Sequence, residues 1–136
     1  MNYLKAFVAG FIGTVVFHQG LLGLLYLGGI SPRAPFPMAA VPPLGVPLFV
    51  SLAFWGGVWA MALMPLLRGF RGASWWAAWL IAGAILPSAV ALFIVFPLKG
   101  MPMAGGWDPQ LIVGALLLNG AWGIGSAIVL RLLKAR

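Results

Sequence analysis

The stretch AFVAGFIGTVVFHQGLLGLLYLGGI, residues 6–30, decides the fold of this chain. It is long enough to cross a bilayer as a helix, because about 20 residues rising about 1.5 Å each span the ~30 Å hydrocarbon core. Three further apolar runs follow it, at about residues 47–67, 74–97 and 109–133. The first run is much longer than the apolar segment of a signal peptide, so we expect it to be retained as a span.

The composition supports the same interpretation. Of the 136 residues, 63% are hydrophobic and only 7% are charged, and the mean hydropathy is +1.09. Soluble domains carry about 25% charged residues, so lipid must be the solvent for most of this surface. Because four spans leave only short connections, the sequence predicts a single transmembrane domain over residues 1–136, an all-α integral membrane four-helix bundle.

Two proline-rich connections separate the spans, at residues 31–46 and 98–107. The first holds five prolines, a density that excludes helix, and unpaired backbone cannot face lipid, so we expect this segment at the membrane interface or folded back onto the bundle. The second is predicted to be irregular. Pro87 lies in the third run and predicts a kink there. Helix caps are predicted at Asn2, at Ser74 and at Asp108, where Pro109 follows at the first helical position.

The basic residues predict the orientation. The chain has eight Lys and Arg against one acid, a formal charge of +7. Six of the eight lie at the two termini and in the turn after the second run, whereas only Arg33 and Lys99 lie in the proline-rich connections. Cytoplasmic loops carry the excess of Lys and Arg, so the sequence predicts cytoplasmic termini, extracytoplasmic proline-rich loops and a bacterial inner membrane. The scattered cations form no basic stripe, and nucleic acid is not an expected partner.

The inventory of reactive side chains argues against an enzyme. The chain has no cysteine, one histidine and one carboxylate, which excludes disulfides, thiol nucleophiles and a carboxylate pair. A protein-supplied catalytic zinc site needs about three ligands, so no metal site is predicted. No glycine-rich phosphate loop is present either. The sequence implies no cofactor, although haem, quinone or lipid binding stays open.

The few polar residues inside the spans are the candidates for function. His18 lies near the middle of the first run, where ionisable groups are rare and often functional. We take four residues as a candidate functional polar cluster, namely Thr14, His18, Gln19 and Asn119. The alternative is structural: a neutral imidazole bonded within the bundle and an asparagine that joins two helices.

Small residues and tryptophans complete the candidates. Small side chains recur at every fourth position in the first and fourth runs and predict close helix packing, which would bring Asn119 near His18. The predicted packing residues are Gly10, Gly13, Ala115 and Gly123. Three tryptophans lie deep in the spans, where they either line a cavity or pack between helices: Trp55, Trp59 and Trp122.

The two halves of the chain resemble each other weakly. GVWAMA at residues 57–62 aligns with GAWGIG at residues 120–125, and an arginine follows nine positions after each tryptophan. Such a match would fit a parallel repeat about an axis along the membrane normal. The composition makes short matches easy, so duplication stays an open alternative.

The leading functional hypothesis is a small membrane protein that acts by association, as an accessory subunit or scaffold of a larger complex or as a homo-oligomer. Its expected partners are the lipid bilayer and other membrane-embedded chains. The alternative is a small transporter or channel whose polar pathway passes His18, Gln19 and Asn119. A quinone-, lipid- or haem-binding membrane protein is the third hypothesis.

Overall fold

A computed structural model describes residues 2–135. It contains four helices long and apolar enough to span a membrane, α1 (Tyr3–Leu27), α2 (Leu48–Leu67), α3 (Ala73–Leu98) and α4 (Pro109–Leu132). The prediction of an all-α bundle of four apolar helices is therefore confirmed. The first helix begins and ends earlier than the predicted 6–30, because a cap at its start places it at Tyr3 and the chain turns at Gly28 and Gly29.

Side-chain caps start two of the helices. The Asn2 side chain accepts a hydrogen bond from the Lys5 amide at 3.0 Å. The Asp108 carboxylate accepts one from the Gln110 amide at 3.0 Å, and Pro109 occupies the first helical position, where its missing N–H costs nothing. These two predicted caps are confirmed.

The predicted cap at the start of α3 is wrong. The capping position is Gly72, whose φ of 57° favours glycine, and it offers no side-chain bond to the helix. Ser74 lies inside the first turn instead, where its hydroxyl donates to the Arg71 carbonyl oxygen at 2.6 Å and accepts from the Arg71 amide at 3.2 Å. Ser74 therefore holds the α2–α3 turn rather than the helix end.

Two of the helices change pitch within the span. The backbone is π-helical over Gly13–His18 in α1 and over Ala91–Val95 in α3. The second π segment begins shortly after Pro87, which lies inside the helix. A π turn carries an extra residue and shifts the face presented by everything beyond it. His18 is the last residue of the first segment, so its direction depends on this local unwinding.

The two long connections contain short ordered pieces. The first connection ends in a small antiparallel hairpin of two strands, β1 (Ala40–Val41) and β2 (Val46–Pro47). Ala40 pairs with Pro47 and Val41 with Val46. In the second connection, four consecutive residues over Ala104–Trp107 have positive φ values between 54° and 74° and form a left-handed turn. Gly105 and Gly106 at its centre adopt this conformation without steric cost.

The helices pack as two pairs joined through α1 and α4. α1 packs extensively on α2, α3 packs on α4, and α1 also packs on α4, whereas α2 and α3 contact each other far less. The interior is filled by large apolar side chains, among them Leu63, Trp79, Trp122 and Leu130. A broad, open groove of about 500 Å³ runs along α3 from the α2–α3 turn.

Candidate functional site

The histidine and the glutamine beside it form one hydrogen-bonded group with the first connection. Gln19 is 1% exposed, and its Oε1 accepts a hydrogen bond from the Phe36 amide at 2.7 Å. Its Nε2 lies 3.0 Å from His18 Nδ1. Because Oε1 is engaged as the acceptor, Nε2 must donate, so Nδ1 carries no proton and the imidazole is neutral with its proton on Nε2.

This group ties the proline-rich connection to the bundle. The Phe36 backbone has a φ of 54°, and its ring packs edge-on against Phe49 of α2 at 5.5 Å between centroids. A Cβ placed on Gly23 would contact Pro35 at 3.4 Å, so this part of the connection lies directly on α1. Residues 35 and 36 thus fold back onto the helices, where Gln19 satisfies a backbone amide that lipid would leave unpaired.

Thr14 lies at the junction of α1 and α2 and bonds within its own helix. It is 3% exposed, and its hydroxyl donates to the Gly10 carbonyl oxygen at 3.1 Å. The same carbonyl accepts from Trp122 Nε1 of α4 at 3.0 Å. The Gly13 amide also points to this oxygen, so one backbone oxygen of α1 receives three donors in the middle of the bundle.

Asn119 belongs to a different group, between α3 and α4. Its Nδ2 donates to Ser88 Oγ at 2.9 Å, and Ser88 Oγ donates in turn to the Ala115 carbonyl oxygen at 3.2 Å. No hydrogen bond joins Asn119 to His18 among residues 2–135. The sequence predicted a functional or packing role for Asn119 but did not identify its partner. Ser88, a polar residue inside the third apolar run directly after Pro87, was the only indication of it.

The predicted packing glycines lie at helix crossings. A Cβ on Gly10 would collide with the Gly56 carbonyl oxygen, and one on Gly13 would lie 2.6 Å from Ser126 Oγ of α4. A Cβ on Gly123 would collide with the Trp79 carbonyl oxygen of α3. These backbones approach each other as closely as small residues permit. Ala115 contributes its carbonyl oxygen to Ser88 at the same α3–α4 crossing.

The three deep tryptophans have different surroundings. Trp122 is 3% exposed and packs at the centre, with its ring centroid 6.4 Å from that of Trp79. Trp59 packs partly buried against the core. Trp55 is 57% exposed and lines a groove of about 360 Å³ between α2 and the β1–β2 hairpin.

Two buried polar atoms have no hydrogen-bond partner within the described part of the chain, Trp79 Nε1 and Ser126 Oγ. Ser126 faces the glycine of α1 at Gly13, and Trp79 contacts Trp122. Both side chains are almost fully buried. Neither lines the groove along α3 or the groove beside the hairpin, and their packing identifies them as part of the bundle interior.

Tryptophan and cations combine at the end of the bundle that carries both termini. The Arg131 guanidinium lies 5.3 Å from the Trp75 ring centroid and 5.8 Å from that of Trp76, within the range of a cation–π contact. Lys5 Nζ donates to the Leu133 carbonyl oxygen at 2.9 Å, at the C-terminus of α4. Positive charge is favourable there because the last carbonyls of a helix point outward.

The residues that could ligate a metal are few and lie apart. Across residues 2–135, no three His, Cys, Asp or Glu side chains come together as a metal site would require. His18 Nδ1 is occupied by Gln19, which leaves only the protonated Nε2 to face other groups. No protein-family model, curated protein or solved structure matches this chain.

Proposed function

We propose that the protein acts by association within the membrane, as a subunit of a larger membrane complex or as a homo-oligomer. Trp55 is the observation that carries this proposal. It lies seven residues into α2, about 10 Å along the helix, and is 57% exposed. Tryptophan is enriched in the interfacial belts of a membrane, so a deep, outward-facing indole calls for another explanation.

The polar end of this indole supports a protein neighbour. Within residues 2–135, Trp55 has no hydrogen bond, and in hydrocarbon its N–H would have no acceptor. Its ring packs edge-on against Phe54 at 5.4 Å, and Phe54 packs against Phe7 of α1 at 5.7 Å. We call Phe7, Phe54 and Trp55 the aromatic patch. Aromatic side chains are enriched where protein surfaces meet, and a partner chain would supply the missing acceptor.

The interior contacts favour association over the transport alternative. A polar pathway through one chain needs side chains that converge on a water-filled space. Thr14, Gln19 and Asn119 instead bond to their nearest backbone or side-chain neighbours, and two buried indoles fill the centre. These contacts support a packed bundle whose working surface faces outward.

Native mass spectrometry on the protein extracted gently from its own membrane tests this proposal. The expected result is a complex with defined stoichiometry, and Trp55→Ala should shift it toward the single chain. Trp107→Ala is the matched control, because Trp107 is 62% exposed but lies at the edge of the second connection. A wild-type protein that is always monomeric would overturn the proposal, and equal loss from both variants would exclude the aromatic patch as the contact.

We also propose that both termini face the cytoplasm of a bacterial inner membrane and that the two proline-rich loops lie outside, with α3 bent at Pro87. The Lys and Arg residues within residues 2–135 support this orientation. Five of them lie at one end of the bundle, whereas Arg33 and Lys99 lie in the two loops at the other. A fluorescent reporter fused after residue 136 should fold and emit, and an alkaline phosphatase fused there should be inactive. The opposite pattern would refute this topology.

A further inference from the structure

The groove along α3 combines an apolar floor with a basic opening. Its floor is made by one face of α3 and by the end of α2, and its lining includes Leu67, Phe70, Ser74, Ala77, Ile81 and Leu86. The serine is at one end, beside the α2–α3 turn, and every other lining side chain is apolar. A groove with this polarity fits an amphiphile whose head lies at the turn.

We propose that this groove binds one anionic phospholipid, with an acyl chain along α3 and the headgroup at Arg68 and Arg71. The site is separate from the aromatic patch and does not depend on the proposed association. The length of the groove fits one leaflet. Ser74 and Leu86 are twelve residues apart, about 18 Å of helix, or roughly half of the ~30 Å hydrocarbon core.

The charges at the opening select an anionic headgroup. Arg68 and Arg71 flank the groove residues Leu67 and Phe70 in the turn, and both are exposed. Within residues 2–135 neither guanidinium has a partner, whereas Arg131 stacks on two indoles and Lys5 bonds to a carbonyl oxygen. The one acidic side chain of the sequence, Asp108, caps α4 at the opposite end of the bundle. A phosphate would therefore meet two unpaired cations and no acidic side chain.

The start of α3 adds to this preference. No side chain caps the helix, because the capping residue is Gly72. The first-turn amides of a helix and its positive dipole end attract anions. They follow Arg71 in the chain and include the amide of Ser74, which lines the groove. The glycerol phosphate of a lipid would be placed there when its acyl chain lies against Ala77 and Ile81.

The same charges argue against a second copy of this chain in the groove. The formal charge of the chain is +7, and its cations concentrate at this end. A second copy that inserted a helix beside Arg68 and Arg71 in the same orientation would bring its own basic end to the same level of the membrane. Like charges brought together at the same level of the membrane repel each other. A phospholipid phosphate supplies the opposite sign.

Lipid retention measured by native mass spectrometry tests the proposal. The full chain is reconstituted in nanodiscs of equimolar phosphatidylglycerol and phosphatidylcholine and released gently. Wild type should retain one phosphatidylglycerol in preference to phosphatidylcholine. Arg68→Gln combined with Arg71→Gln should weaken that retention roughly thirtyfold, from the usual contribution of each cation near a membrane surface. Arg33→Gln combined with Lys99→Gln removes two charges from the other end and should leave retention unchanged.

A second pair of variants tests the groove with all charges kept. Ala77→Phe fills the groove from an exposed position, so it should reduce the retained phosphatidylglycerol without affecting folding. Val113→Phe enlarges an exposed side chain of α4 outside the groove and should leave the retained phosphatidylglycerol unchanged. If Ala77→Phe does not fold, Ile81→Phe replaces it. Equal retention of both lipids would overturn the proposal. Sensitivity to the arginines without sensitivity to groove filling would overturn it too, since that result indicates diffuse surface attraction.

Discussion

The α1–α2 pair and the α3–α4 pair both cross at opposed glycines, Gly10 on Gly56 and Gly83 on Gly123, but different contacts surround the glycines. At the α3–α4 crossing, Asn119, Ser88 and the Ala115 carbonyl form a hydrogen-bonded chain between the helices. At the α1–α2 crossing, no side-chain hydrogen bond joins the two helices in the described part of the chain. The first pair therefore relies on close backbone contact, whereas the second adds polar bonds to it.

The aligned tryptophans of the two halves show the same divergence. Trp122 is buried at the centre and donates its indole N–H to Gly10 of α1, which links the two pairs. Trp59, its counterpart in the aligned segment, packs at the edge of the core. Similar short sequences therefore occupy different environments, because each segment faces different neighbours. The two aligned segments therefore do not have equivalent contacts in the bundle.

The largest effect is expected at the α1–α2 crossing, which no side-chain hydrogen bond between the two helices supports within residues 2–135. Gly10→Ala would place a methyl group against the Gly56 carbonyl oxygen and 2.7 Å from Ala60 Cβ, so α1 and α2 must separate. We expect a loss of about 3 kcal/mol in the free energy of unfolding, the upper part of the range for overpacking. An SDS titration in mixed micelles, followed by circular dichroism, measures it.

Gly20→Ala is the matched control for this variant, because it lies on the same helix and no atom lies within 4 Å of its added Cβ. Its stability should stay unchanged or rise by about 0.5–1 kcal/mol, since alanine is the better helix former. Equal stability of the two variants would show that the α1–α2 crossing is not tight.

A smaller effect is expected at the hydrogen-bonded crossing. Ser88→Ala removes the acceptor of Asn119 and the donor to Ala115, and bonds of this kind in membranes are worth about 0.6–1.7 kcal/mol. We therefore expect a loss of about 1 kcal/mol, measured in the same titration. A double-mutant cycle with Asn119→Ala should show coupling between the two side chains. Ser51→Ala on α2 is the control, and additive losses from Ser88 and Asn119 would contradict the bond.

The smallest effect is expected at the histidine. His18→Gln keeps a polar group beside Gln19, and the imidazole contributes one hydrogen bond to its neighbour, so we expect a loss below about 1 kcal/mol. Any activity should then be independent of pH between 5 and 8, the range in which histidine ordinarily titrates. Measurements of stability, and of any activity as a function of pH, check both expectations.

Gln19→Leu should have the larger effect of these two neighbours, since it leaves the Phe36 amide without its acceptor and frees residues 31–46 for proteolysis. Loss of a bound chromophore in His18→Gln alone would instead show that the histidine is a ligand.

Several features could be predicted from the chain directly. The four spans follow from the length of each apolar run, and the caps at Asn2 and Asp108 follow from the residue types at those positions. The cap predicted at Ser74 lies two residues too late. The capping residue is Gly72, because its φ is positive and glycine adopts that conformation readily. Ser88 was not recognised as the partner of Asn119, since the two are 31 residues apart and only the α3–α4 crossing joins them.

The sequence by itself determined where the chain is apolar, where proline and glycine end its helices and where its cations concentrate, since hydropathy and backbone preference belong to each segment alone. The tertiary structure decided which glycines are contacts. Gly10 and Gly123 lie against a neighbouring backbone, whereas Gly20 and Gly114 lie in open space. The physical reason is that lipid is as apolar as the helix interior, so burial of hydrophobic surface does not orient a span. Its rotation depends on shape and hydrogen bonding with the neighbouring helix.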